Sequence, residues 1–275
     1  MAAAAAISEF GPLLLVGAGH MGGALLTGWR RAGALAPADL LILDPQPGEA
    51  ARGWIQAGAA VAGPDDAAAL GAARSIVLAV KPQVWRQAAA PFAGHLGPEA
   101  PLISIMAGPT LADLRTVFGS RPLGRAMPNL AAAALRGAAA IHAPDAAARA
   151  LALALFSPVA TVIELPREAQ LHAATAVAGS GPAYVYAFTE ALAEAGAAAG
   201  LEAEAALAMA TATVAGAAAL MAESGEAPAA LRAAVTSPGG TTAAALSALQ
   251  EEDALARLLR EAVERAVRRS CELSG

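Results

Sequence analysis

Gly17, Gly19 and Gly22 stand in the run Leu13–Gly23, LLLVGAGHMGG, at the spacing G-x-G-x-x-G. An apolar run leads into them and a helical pattern follows. Such a turn brings backbone close to a pyrophosphate, and the helix opening there presents N–H groups and the positive end of its dipole. Gly17 permits the tight turn, Gly19 the close approach and Gly22 the contact between helix and strand. Met21 and His20 fill variable positions, and His20 is either a phosphate contact or a tolerated loop residue. Asp44 ends the next apolar run. An acid there accepts hydrogen bonds from ribose hydroxyls and repels a 2′-phosphate, which favours NADH over NADPH; it can also simply start the Asp44-Pro45-Gln46-Pro47 turn. No Arg follows closely, Arg52 being the first. Lys81 is the only lysine among 18 basic residues. It follows a third apolar run, where ligands of doubly wound folds gather, and Pro82 stops that run. Ala107-Gly108 occupies the same edge after a fourth.

A second glycine pair lies far down the chain in Thr236–Thr242, TSPGGTT. Ser237 or Thr241 can cap the helix that follows. Gly239 and Gly240 leave backbone N–H groups bare, and the dipole of the helix adds to them, so the segment reads as a nest for a small anion. Gly179-Ser180-Gly181-Pro182 also opens a helix, with Pro182 near its first position, and reads chiefly as close helix packing. No Cys or His cluster has metal-ligand spacing. The half of the chain after residue 163 has one His, His172, and no Lys. A hydroxyacid dehydrogenase needs a positioned Lys or His to move the hydroxyl proton. A cyclic imine needs less, because its nitrogen can be protonated before hydride arrives.

These groups need elements to hold them. Strands are expected at Leu13–Gly17, Leu40–Asp44, Ser75–Val80, Leu102–Ile105, Gly124–Met127, Ala138–His142 and Val159–Ile163, with helices between, including Met21–Ala32 and Asp145–Phe156. Such alternation predicts a parallel sheet covered on both faces. After Pro166 no strand pattern returns. Helices are expected over Glu168–Ala178, Ala183–Ala199, Ala203–Ser224, Pro228–Val235 and, as one unbroken helix, Thr242–Arg269. The fold class expected is an α/β Rossmann-type parallel-sheet domain, residues 1–164, followed by an all-α domain, residues 165–275.

Composition sets limits. The chain has 275 residues, 83 of them Ala, with 57% hydrophobic residues and a net charge of −5. Ala favours helix but buries little area, so the helical half gains from sharing its faces with a second copy. The acidic balance excludes a basic nucleic-acid surface. The lone Cys271 excludes an internal disulfide and fits a reducing cytoplasm. MAAAAAISEF lacks the charged and Leu-rich regions of a signal peptide and reads as a loose tail. Ala205–Ala222 carries no charge but few large apolar residues, so it reads as a close-packed helix rather than a membrane span.

The chain resembles pyrroline-5-carboxylate reductase over nearly its whole length. The matching stretches are VGAGHMGGALL (16–26), VKPQ (80–83), ISIMAG (103–108), MPN (127–129), AGSGPAYVY (178–186) and VTSPGGTT (235–242). The resemblance implies NAD(P)H-dependent reduction of 1-pyrroline-5-carboxylate to L-proline, and a Rossmann domain followed by a helical dimerisation domain, often assembled into larger rings. It implies that Gly17, Gly19, Met21 and Gly22 bind the cofactor pyrophosphate. Lys81, Pro82 and Ala107 would border its ribose and nicotinamide, with Asn129 in the same cofactor set. Ser237, Gly239, Gly240, Thr241 and Thr242 would hold the substrate, with Thr242 bonding near the imine. The family usually has Asn where His20 stands and Thr-Pro where Leu130-Ala131 stand. The other readings are a β-hydroxyacid dehydrogenase-like enzyme, which the missing lysines disfavour, and a dinucleotide-binding protein without turnover.

Overall fold

The computed structural model describes residues 7–273. Apolar runs bounded by Gly, Pro and polar residues become strands, as the pattern requires. They are β1 (Leu13–Val16), β2 (Leu40–Leu43), β3 (Ala60–Val61), β4 (Ser75–Leu78), β5 (Leu102–Ser104), β6 (Leu123–Pro128), β7 (Gly137–His142) and β8 (Ala160–Glu164). They form one sheet in the order β3-β2-β1-β4-β5-β6-β7-β8. Pairing is parallel from β3 through β6. Then β7 runs antiparallel to β6, and β8 lies parallel to β7. The expected parallel sheet therefore carries a reversed pair at one side. The short β3 was not expected; its two residues, Ala60 and Val61, are exposed and lie in a short Ala-rich run between Gly58 and Gly63.

Successive side chains leave a strand on opposite faces, so a run buried throughout must be covered twice. Leu13 and Leu15 of β1 join one core with Leu40, Ile42 and Val77. Leu14 and Val16 join the other with Leu41, Ile76 and Leu78. Helices α1 (His20–Ala32), α2 (Glu49–Gln56), α3 (Ala67–Ala72), α4 (Trp85–Ala89), α5 (Leu111–Phe118) and α6 (Ala146–Phe156) supply the cover. Two of the three indoles are anchored by their N–H groups: Trp29 Nε1 donates to the Leu155 carbonyl at 2.8 Å and Trp54 Nε1 to that of Leu26 at 2.9 Å. The start of α5 is a capping box, Thr110 and Asp113 satisfying one another's backbone N–H. Of the segment read as a loose tail, residues 1–6 lie outside the described range. Ile7–Phe10 is a helical turn with Ile7 fully buried in the first core.

After β8 the described chain is helical: α7 (Gln170–Ala174), continuing as a wider turn over Thr175–Gly179, then α8 (Gly181–Ala198), α9 (Ala203–Ser224), α10 (Pro228–Ala234), α11 (Thr241–Gln250) and α12 (Ala254–Glu272). The single helix expected over Thr242–Arg269 is two. Glu252 and Asp253 adopt φ of 50° and 55°, which stops α11 and starts α12 anew. The chain forms two compact units. One comprises residues 7–179 and 266–273 of the described chain; the other is Ser180–Arg265. The strands end at Glu164, and the units divide further on, at Gly179, and again within α12. In the second unit α8 and α9 pack together. α9 is the one helix among the described residues long and apolar enough to cross a membrane, and only 11% of its apolar window is buried within the chain.

Candidate active site

The first unit holds the glycine turn at the carboxyl end of β1. The Gly17 N–H donates to the Leu43 carbonyl at 2.9 Å, which ties the turn to β2. Gly17 has φ of +91°, and a Cβ there would lie 2.8 Å from the Ala79 carbonyl oxygen. A Cβ on Gly22 would lie 2.3 Å from the Gly17 carbonyl oxygen, whereas one on Gly19 would meet nothing within 4 Å. Two of the three glycines are therefore required by the protein's own backbone. At the third the backbone is open to whatever binds. Gly23 N–H closes the first helical bond to Gly19. The N–H groups of Gly19, His20, Met21 and Gly22 find no acceptor among the described residues. An α1 that begins with four bare donors and no side-chain cap suits an anionic ligand.

Around this turn lies a cleft of about 860 Å³. Its lining includes Gly19, His20, Met21, Lys81, Pro82 and Ala107, brought together from the ends of β1, β4 and β5. These are residues that sequence spacing or resemblance assigned to one ligand. Lys81 and His20 are both exposed there. Leu130, 56% exposed, lines the same cleft. Asn129 does not. Its Nδ2 donates to the Ala178 carbonyl at 3.0 Å and its Oδ1 accepts from Ala138 N–H at 3.3 Å, clasping the end of β6 to β7 and to the turn after α7.

Asp44 is engaged as well. Its Oδ2 accepts from the Ala18 N–H at 2.5 Å and its Oδ1 from the Gln46 N–H at 2.7 Å. The carboxylate thus braces the glycine turn from the end of β2, and it also starts the turn its sequence announces. A second, mostly apolar cavity of about 580 Å³ lies beside it, between Leu43, Pro45, Ala62, Val84 and Pro91. Sequence reasoning did not find this slot, because its walls come from three separated loops.

An ion-pair cluster joins β6 to the segment after β8. Arg125, 3% exposed, donates from Nη1 to Glu168 Oε1 at 2.9 Å. The same oxygen accepts from the Leu111 N–H at 2.7 Å. His172 Nδ1 lies 2.9 Å from Ser270 Oγ, tying α7 to the end of α12. Burial, and then the nearby Arg125 charge, push the His172 imidazole below its ordinary range. Hydrogen bonds from Thr110, side chain first and then backbone, hold the Asp113 carboxyl below its ordinary range. This cluster was not legible in the sequence, since its members lie far apart in the chain.

The second unit holds TSPGGTT. Neither Ser237 nor Thr241 caps α11. Gly240 precedes the first turn, and no side chain satisfies it. Gly240 N–H closes a turn to the Ser237 carbonyl at 3.1 Å. The N–H groups of Gly239, Thr241, Thr242 and Ala243 have no acceptor among the described residues. A Cβ on Gly240 would lie 2.5 Å from Ser237 Oγ, and Gly239 sits at φ +73°. Gly239 is thus favoured by its left-handed backbone, and Gly240 lets Ser237 Oγ sit close to the chain. Ser237 and Thr241 are exposed, and Thr242 is half-buried.

A doubly wound sheet with an uncapped glycine turn, in a chain that also carries an uncapped anion nest, defines a nicotinamide-dependent oxidoreductase. Within that class the match is specific: a family model for pyrroline-5-carboxylate reductase dimerisation covers residues 168–273, and one described as NADP oxidoreductase coenzyme F420-dependent covers 13–108. A pyrroline-5-carboxylate reductase of Synechocystis sp. is 40% identical over 94% of this chain and 97% of its own length. That of Pseudomonas aeruginosa is 37% identical over 95% and 96%. The structure of a pyrroline-5-carboxylate reductase from Coxiella burnetii superposes with a TM-score of 0.87 at 30% identity, covering 97% of this chain and 99% of that one. The chain belongs to the pyrroline-5-carboxylate reductase family. A Plasmodium falciparum pyrroline carboxylate reductase solved with NADP bound superposes with a TM-score of 0.81 at 25% identity, covering 96% and 98%.

Proposed function

We propose that this chain reduces 1-pyrroline-5-carboxylate to L-proline with NAD(P)H. The observation that carries the reading is the start of α11: four N–H groups without acceptors among the described residues, shaped by Gly239 at positive φ and by Gly240 close against Ser237, in a chain of this family. Such a nest suits a carboxylate.

The residues of the glycine turn fit a dinucleotide. The bare N–H groups of Gly19 to Gly22 receive the pyrophosphate, and the open face at Gly19 gives it room. Lys81, Pro82 and Ala107 border the ribose and nicotinamide, and His20 stands at the phosphates. The apolar slot beside Asp44 takes the adenine. The bound nicotinamide supplies a hydride. The N–H groups of the nest fix the substrate carboxylate, with Ser237 and Thr241 at its rim. The Thr242 hydroxyl oxygen accepts from the N–H of the protonated imine. That nitrogen is protonated before reduction, so C5 accepts the hydride without a side-chain acid. Asn129 acts one step away, holding the chain beside Leu130.

Residues 165–275 form the helical dimerisation part, and 1–164 the dinucleotide-binding part. Val185, Tyr186, Phe188, Leu207 and Met209 on α8 and α9 are large, apolar and exposed in the single chain. A second copy of this chain covers them, making a homodimer from which rings can be built. That cover, rather than lipid, accounts for the apolar α9.

Purified protein given 1-pyrroline-5-carboxylate, with NADH and NADPH in parallel, should consume the reduced nicotinamide and release proline in equal amount. Binding of either nucleotide without any proline would leave a dinucleotide-binding protein and end the assignment.

A further inference from the structure

We propose that Arg52, helped by Arg30, recognises the 2′-phosphate of the coenzyme and makes NADPH the preferred reductant. The inference rests on reading the glycine turn as the dinucleotide site. In sequence Arg52, the first Arg after Asp44, does not follow it closely. The structure folds it back: Arg52 Nη1 donates to the Pro47 carbonyl at 2.7 Å, which sets the guanidinium against the β2–α2 loop, where the adenosine ribose of such folds lies. One of its five donors is used. Arg30 arrives from α1. Its Nη1 would be 3.0 Å from a Cβ on Gly53, so a glycine inside α2, an unfavourable place for one, leaves the space that this guanidinium fills.

Arg30, Arg31 and Arg52 line one cleft of about 550 Å³. Thr27, Glu49 and Ala50 line both this cleft and the larger coenzyme cleft, so the two adjoin. Arg31 Nη1 is turned to the Ala133 carbonyl at 3.0 Å. Glu49 is the one acid in the lining. None of the three arginines pairs with it or with any other carboxylate among the described residues. Unneutralised guanidinium forks beside a ribose suit a phosphate dianion. The acid that ought to exclude such a group faces elsewhere, both its oxygens taking N–H groups of Ala18 and Gln46.

The test is binding, without turnover. Titrated by calorimetry, the wild-type protein should hold 2′,5′-ADP at least about tenfold more tightly than 5′-AMP, and R52Q should remove most of that ratio. R52K should keep part of it, since it keeps the charge but not the fork. In turnover the NADPH-over-NADH ratio of kcat/KM should fall in R52Q by a similar factor. Equal affinity for the two nucleotides, or a ratio that R52Q leaves intact, would overturn the proposal while leaving imine reduction standing. Selective 2′,5′-ADP binding in a protein that makes no proline would do the reverse.

Discussion

Asp44 shows how one residue type serves two purposes that sequence cannot separate. Its carboxylate takes an N–H from the glycine turn and another from its own loop. Asp44→Ala should therefore loosen the turn and weaken both coenzymes, each by about tenfold or less. Equilibrium titration with NADH and NADPH checks this; a gain confined to NADPH would mean the acid acts by repulsion instead. The glycines of the turn were legible because their requirement is written in backbone, and Gly22 against the Gly17 carbonyl is its plainest case. The side chains were legible less often. Asn129 sits where the motif places it, yet its amide is engaged by Ala178 and Ala138. Arg52 reaches its loop by a side chain turned back from α2 to the Pro47 carbonyl. Such contacts depend on three-dimensional paths that spacing does not encode.

Among the elements, the start of α11 is the one to which the proposed function assigns the substrate carboxylate. Gly240→Val would drive a side chain into Ser237 Oγ and distort the nest. It should raise KM for the imine strongly while coenzyme titration stays as in the wild type; loss of both together would indicate misfolding. Thr242→Ala removes one hydroxyl and should lower kcat/KM by roughly fivefold, the worth of about 1 kcal/mol. Steady-state kinetics at saturating coenzyme measures both. The strands β1, β2, β4 and β5 could be read from continuous apolar runs, since a sheet covered on both faces demands them. The reversed direction of β7 could not, because hydrophobic pattern carries no sense of chain direction. Nor could the break between α11 and α12. It falls at Glu252 and Asp253, residues that ordinarily continue a helix, with no Gly or Pro to mark it.

At the scale of the molecule, His172 links pH to folding. Its imidazole resists protonation in the native state, so the unfolded chain binds the proton more readily. Stability should hold above the ordinary imidazole range and decline as pH falls through it. Thermal melts between neutral and mildly acid pH should show that slope, and His172→Gln should flatten it. An unchanged slope would place the titration on another group. Association should be equally legible in solution. Met209→Glu, on the exposed face of α9, should shift sedimentation from the oligomer toward monomer at micromolar concentration, if a second copy covers that face as proposed.

The last residues of α12 belong to the same compact unit as the glycine turn. Leu273 lies so near Gly108 that a methyl added there would be 2.4 Å from its carbonyl, and Ser270 meets His172. The last pieces of the coenzyme unit are therefore made only after Ser180–Arg265, the whole of the other unit, has been translated.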